Sequence, residues 1–170
     1  MSEIRYIVVM GVSGCGKSTV AALLAGRLGW EFTEGDALHP ASNVEKMRQG
    51  VPLTDTDREP WLKEIARTIG GWRAAGKPGI VACSSLRRHY REIIADGAED
   101  VRFVYLRGSF KLIEQRLATR QGHYMPVSLL DSQFATLEEP AADEPAITID
   151  TGAPVGELVN EVLGTLHLAA

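Results

Sequence analysis

Residues 11–18 read Gly-Val-Ser-Gly-Cys-Gly-Lys-Ser, followed by Thr19. Glycines at 11, 14 and 16 let the backbone wrap tightly enough for its N–H groups to point inward at phosphate oxygens. The Lys17 ammonium then reaches the β- and γ-phosphates, and the Ser18 hydroxyl suits a hard cation such as Mg²⁺. Gly11, Val12, Ser13, Gly14, Cys15, Gly16, Lys17, Ser18 and Thr19 are therefore candidate nucleoside triphosphate ligands, with Ser18 the candidate metal ligand. A dinucleotide fingerprint is excluded, because Gly14-x-Gly16 is followed by Ser18 and Thr19 without a third glycine.

A phosphate loop announces a nucleotide but not its use. No Asp is followed three residues later by Gly, and no Lys two residues later by Asp, so the signatures of a regulatory GTPase are missing. Phosphoryl transfer to an acceptor needs an acid near the acceptor hydroxyl, a substrate pocket and a positively charged cover that keeps water out. Asp36 and His39, then Cys83, Ser84 and Ser85, then Arg116, Arg120 and His123 supply such groups at three separated places. An ATP-binding module without chemistry is the rival reading, and it leaves those polar residues without a purpose.

The elements that must position them alternate between short apolar runs and helical periods. Ile4–Met10 reads as a buried strand, with Val20, Leu23, Leu24 and Leu28 on one face of the helix after it and Gly29 as its stop. Residues 30–33 predict a second strand and 40–49 a short helix. A longer helix carries Trp61, Ile65, Ile69 and Trp72, with Pro60 near its start. Strands at 80–83, 101–106 and 146–149 alternate with helices at 86–96, from Phe110 toward Arg120, at 127–136 and from Val155 to Leu166. That alternation predicts an α/β domain: a five-stranded parallel sheet covered by helices on both faces, one domain over residues 1–170.

Composition bounds the rest. Hydrophobic residues form 45% and charged ones 24% of the chain, a globular balance. Eighteen basic against 22 acidic residues give a net charge of −4, which argues against nucleic acid or an anionic membrane as partner. Two cysteines make no disulfide scaffold, and no apolar run approaches the ~20 residues of a membrane span, so a reducing, cytoplasmic setting is expected.

Four stretches carry a family resemblance: GVSGCGKST at 11–19, GDALHPASNVEKMRQGVPLTDTDREPWL at 35–62, ACSSLRRHYREI at 82–93 and RQGHYMPVSLLDSQFATLEEP at 120–140. With them the chain resembles the gluconokinases, short P-loop kinases of sugar acids related in fold to shikimate kinase. The resemblance implies ATP- and Mg²⁺-dependent phosphorylation of D-gluconate to 6-phosphogluconate, feeding sugar-acid catabolism, by a cytoplasmic and commonly dimeric enzyme. Kinases of another polyol acid or of shikimate are the alternatives. Departures are small: Cys15 where Ser or Ala is frequent, Thr-Asp-Thr-Asp at 54–57 where acids usually run together, and Gln121 in place of a second basic residue.

Roles follow, each with a plainer alternative. By the resemblance, Asp36 orients or receives the acceptor proton; otherwise it caps the next helix. Glu34 is a weaker candidate, equally readable as a solvated strand end. His39 bonds a substrate hydroxyl or, with Pro40, fixes a turn. Arg58 pairs the substrate carboxylate, or else Asp55 or Glu59. Ser84 or Ser85 holds water or substrate, and one of Arg87, Arg88 and Arg91 (Arg88 chosen) binds the sugar acid, unless they form a solvated basic face. Arg120, with Arg116 behind it, stabilises the transferring phosphoryl group from a lid over about 118–127. His123 and Gln133 face the acceptor, while Arg107 and residues 150–154 border the adenine.

Overall fold

The computed structural model describes residues 3–119 and 127–169. The run Tyr6–Met10 forms strand β1, buried at every position. A strand with no polar alternation needs cover on both faces, and β1 obtains it at the centre of a five-stranded sheet in the order β2-β3-β1-β4-β5. The others are β2 (Glu31–Glu34), β3 (Gly79–Ala82), β4 (Val101–Arg107) and β5 (Ala146–Asp150). All four pairings are parallel, with Tyr6 opposite both Gly79 and Val101.

Alternate side chains of β1 feed two cores. Ile7 and Val9 pack with α1 (Lys17–Leu28) and α7 (Val155–Thr165), where Val20, Leu24, Leu158 and Val162 are buried. Tyr6, Val8 and Met10 face α3 (Asp55–Ala74) and α4 (Arg88–Ala95), which bury Trp61, Ile65, Ile69 and Ile94. Helices α2 (Ala41–Arg48), α5 (Phe110–Thr119) and α6 (Val127–Thr136) complete the set. The chain leaves β1 through α1 toward β2 and leaves β3 through α4 toward β4, on opposite sides of β1. Such a reversal opens a crevice at the carboxyl ends of the central strands, where ligands of parallel sheets bind.

Three expectations need correction. Leu23 is turned outward on α1, and Ala21 and Ala25 take its place in the core. Helix α3 begins five residues ahead of Pro60, because Thr54 and Asp57 form a reciprocal capping box at 3.1 and 2.9 Å. Arg91 is no part of a solvated basic face: it is 2% exposed and chelates Glu144 at 2.6 and 3.1 Å. Most of the expected lid, with Arg120 and His123, lies outside the described residues.

Candidate active site

The phosphate loop joins β1 to α1. Gly16 precedes α1 with φ +96° and no side chain caps the helix, so its first N–H groups stay available to an anion. Gly11 has φ +143°, and a Cβ there would stand 2.7 Å from Cys15 Sγ and 2.9 Å from the Leu106 carbonyl. Gly11 N–H donates to the Ser84 carbonyl at 3.1 Å, tying the loop to the end of β3. Lys17 Nζ donates to the Val12 carbonyl at 3.2 Å. Burial pushes the Cys15 thiol upward, so it is an inert packing group.

Ser18 Oγ donates to Glu34 Oε1 at 2.8 Å. Glu34 closes β2, and this contact brings the end of that strand to the Ser18 hydroxyl of the loop. Among the described residues no three His, Cys, Asp or Glu side chains form a metal cage. A hydroxyl and a carboxylate beside a phosphate loop are nevertheless hard oxygen donors of the kind Mg²⁺ takes when phosphates and water complete its shell. The residues present fit that ion.

Beyond Glu34 the chain turns through a short 3-10 segment, Gly35–Leu38, which carries Asp36 exposed. Gly35 is required there, since a Cβ would lie 2.5 Å from the Ala82 carbonyl. Helix α2 is preceded by Pro40 and has no side-chain cap, so Asp36 is not spent on capping it. His39 stacks on Trp61 with ring centroids 4.0 Å apart, and its Nδ1 lies 3.2 Å from Asn43 Nδ2. Trp61 Nε1 donates to the Gly35 carbonyl at 2.8 Å. His39 and Trp61 thus brace the turn that presents Asp36. Burial, reinforced by Arg58 and opposed by Asp36, lowers the His39 pKa, which keeps the ring neutral near pH 7.

Arg58 donates to Tyr90 Oη at 3.0 Å, and Tyr90 donates in turn to Asp55 Oδ1 at 2.5 Å. The Arg58–Asp55 ion pair is loose at 3.9 Å, while Glu59 pairs with Lys63. Arg58 is therefore aimed by Tyr90, a residue whose helical position alone gave no sign of that part. After β3, Ser85 is buried with φ +48°, and Arg91 Nη1 donates to its carbonyl at 2.8 Å. Ser84 offers its carbonyl to the phosphate loop. Arg88 is engaged elsewhere: its guanidinium chelates Asp143 at 3.0 and 2.8 Å, and its backbone N–H meets Glu138.

Beside the loop lies a cavity of about 310 Å³ lined by Gly14, Gly16, Thr19, Arg116, Thr151 and Val155, among others. Arg116 donates to Thr151 Oγ1 at 3.1 Å and to the Thr151 carbonyl, and Thr151 Oγ1 donates to the Cys15 carbonyl at 2.6 Å. Arg107 contributes its carbonyl, which accepts from Thr151 N–H at 2.8 Å, while its side chain is exposed. Gln133 lies on the phosphate loop itself, with both amide atoms bonded to Ser13.

Residues 7–140 match the family model described as AAA domain. A gluconokinase of Gluconobacter oxydans is 52% identical over 85% of this chain and 82% of its own. The thermoresistant gluconokinase of Escherichia coli is 42% identical, covering 89% and 87%. The crystal structure of a gluconokinase from Sinorhizobium meliloti superposes with a TM-score of 0.88 at 43% identity, covering 98% and 94%. Likeness at this level, running through the loop and the segments around it, reaches past a common fold: the chain belongs to the gluconokinase family.

Proposed function

We propose that this protein is a gluconokinase that transfers the γ-phosphate of ATP to the terminal hydroxyl of D-gluconate, giving 6-phospho-D-gluconate. One observation carries the reading. The 2.8 Å contact from Ser18 to Glu34 sets the end of β2, and with it Asp36 two residues on, beside the phosphate loop. Donor and acceptor sites thereby share one crevice.

Loop N–H groups and the start of α1 bind the triphosphate, and Lys17 leaves the Val12 carbonyl for phosphate oxygens. The base and ribose take the cavity bordered by Arg116 and Thr151, near Arg107. Ser18, with Glu34 behind it, would hold Mg²⁺, which would supply charge neutralisation to the phosphates. Asp36 is exposed on a braced turn, suited to orient the acceptor hydroxyl and take its proton. Arg58, held by Tyr90, is suited to the sugar-acid carboxylate, with Ser84 near it at the end of β3. Arg120 and His123 would join from the stretch after Thr119. His39 and Arg88 act through the turn and the loop they hold. Among the described residues no helix is long and apolar enough to cross a membrane, and a cytoplasmic setting is expected from the family. Homodimerisation is the family expectation.

ATP consumption measured with gluconate, shikimate, a nucleoside monophosphate and no acceptor tests the reading. Gluconate-dependent turnover is expected. Turnover without gluconate, or none at all, overturns it.

A further inference from the structure

The peptide unit between Val12 and Ser13 is held at both ends. Its carbonyl, on Val12, accepts from Lys17 Nζ at 3.2 Å and from Cys15 N–H at 3.2 Å. Its N–H, on Ser13, donates to Gln133 Oε1 at 2.7 Å. Gln133 Nε2 donates back to Ser13 Oγ at 2.9 Å, so the carboxamide is fixed by two bonds to one residue. A peptide unit is planar, and its carbonyl and N–H point in opposite directions. Anchoring the N–H therefore dictates where the carbonyl points.

The anchor is held by packing. Gln133 sits on α6, whose Leu130 is buried in the core and whose Phe134 packs on Phe110 at 5.5 Å. Turning the gripped peptide over would change ψ of Val12 and φ of Ser13, and Gly11 and Gly14 on either side, both with positive φ, let the flanking chain follow. Were the Val12–Ser13 unit to turn over, its carbonyl would leave Lys17 and add a negative dipole elsewhere in a loop built to receive phosphates.

We propose that Gln133 is a positioning residue for Lys17: from α6 it fixes the Val12–Ser13 peptide, which keeps the loop open to phosphate and the ammonium poised at its mouth. The assignment rests on the kinase reading above. It also differs from a direct contact between Gln133 and the acceptor, since both polar atoms of the side chain are committed to Ser13.

The test compares Gln133→Leu, Gln133→Glu, Ser13→Ala and the double variant Ser13→Ala/Gln133→Leu in the full chain. Steady-state kinetics with gluconate and ATP, ADP binding by calorimetry and thermal melting are measured for each. Gln133→Leu should lower kcat about 10-fold or more, as befits two lost orienting hydrogen bonds. ADP affinity should stay within about twofold and Tm within about 3 °C, because phosphate binding by the rest of the loop and the core packing are untouched. Ser13→Ala keeps the N–H bond and should cost less, and the double variant should be no worse than Gln133→Leu alone. Gln133→Glu retains an acceptor for Ser13 N–H and can accept from its hydroxyl. It should recover kcat above the Leu variant while raising the KM for ATP through like charge.

A kcat for Gln133→Leu within about twofold of wild type overturns the assignment. So does a parallel fall of kcat, ADP affinity and Tm, which marks a structural role, or a double variant whose losses simply add. An inactive wild type overturns the kinase reading and this assignment with it, and is distinguishable because the variants are then beside the point.

Discussion

Removing Glu144 should destabilise the fold more than removing any surface acid. Arg91 and Glu144 are 2% and 7% exposed at the side chain and share a two-pronged ion pair at 2.6 and 3.1 Å. Glu144 also accepts from Ala141 N–H at 2.8 Å, and Arg91 from the other side holds the Ser85 carbonyl. Glu144→Ala strands a buried guanidinium, a defect that costs about 3–5 kcal/mol. With a urea slope near 2 kcal/mol/M the unfolding midpoint should fall by roughly 1.5–2.5 M. Arg91→Met/Glu144→Leu removes both charges and should regain most of that loss. The assay is equilibrium unfolding in urea followed by fluorescence and circular dichroism, with Glu64→Ala, which breaks an exposed pair with Arg67, as reference. A midpoint for Glu144→Ala that matches the Glu64→Ala reference would refute the reasoning, as would a double variant no better than the single one. Burial pushes the Glu144 carboxyl up, yet the Arg91 and Ala141 hydrogen bonds outweigh it and the net shift is downward. The pair's contribution is accordingly full above the ordinary carboxylate range and is lost as pH falls through the lowered value.

Asp36→Asn should lower kcat by at least ~10²-fold with the ATP KM little changed, measured by coupled assay; near-normal turnover would remove Asp36 from the proton's path. Glu34→Gln should raise the Mg²⁺ concentration needed for half-maximal rate by about 10–100-fold, read from metal titrations of activity. His39 is held neutral by its surroundings, so below its ordinary pKa of about 6.5 the unfolded chain takes up the proton first and stability declines with acidification. In His39→Gln the loss of Tm between pH 7 and pH 5 should be smaller than in wild type.

What the sequence disclosed and what it concealed divide by range. The phosphate loop, the strands and α6 were legible because each is specified within a dozen residues, by glycine spacing or apolar runs. Thr54 and Asp57 belong to the same local grammar, yet Pro60 drew attention to the wrong start for α3. Contacts that bridge distant segments left no such mark. Glu34 on Ser18, Gln133 on Ser13 and Tyr90 on Arg58 each depend on which strand ends and helices the topology brings together. Arg88 and Arg91 read as part of one basic cluster, and the fold separates them into an exposed pair with Asp143 and a buried one with Glu144. Leu23 failed for a different reason: apolar period fixes a helical face only to within one neighbouring position, and Ala21 and Ala25 are small enough to approach the sheet.

The strand order carries a consequence for biogenesis. β1 is the central strand, but its two partners are residues 79–82 and 101–105, so its ladder cannot close until β4 has been made. At synthesis rates of roughly 5–20 residues per second, Tyr-Ile-Val-Val-Met waits about 4–14 s for its first neighbour and about 5–20 s for both. High contact order of this kind slows folding and leaves an apolar segment open to wrong pairings meanwhile. The strand that anchors the phosphate loop is thus the nascent chain's most exposed liability, and the one a chaperone would most usefully shield.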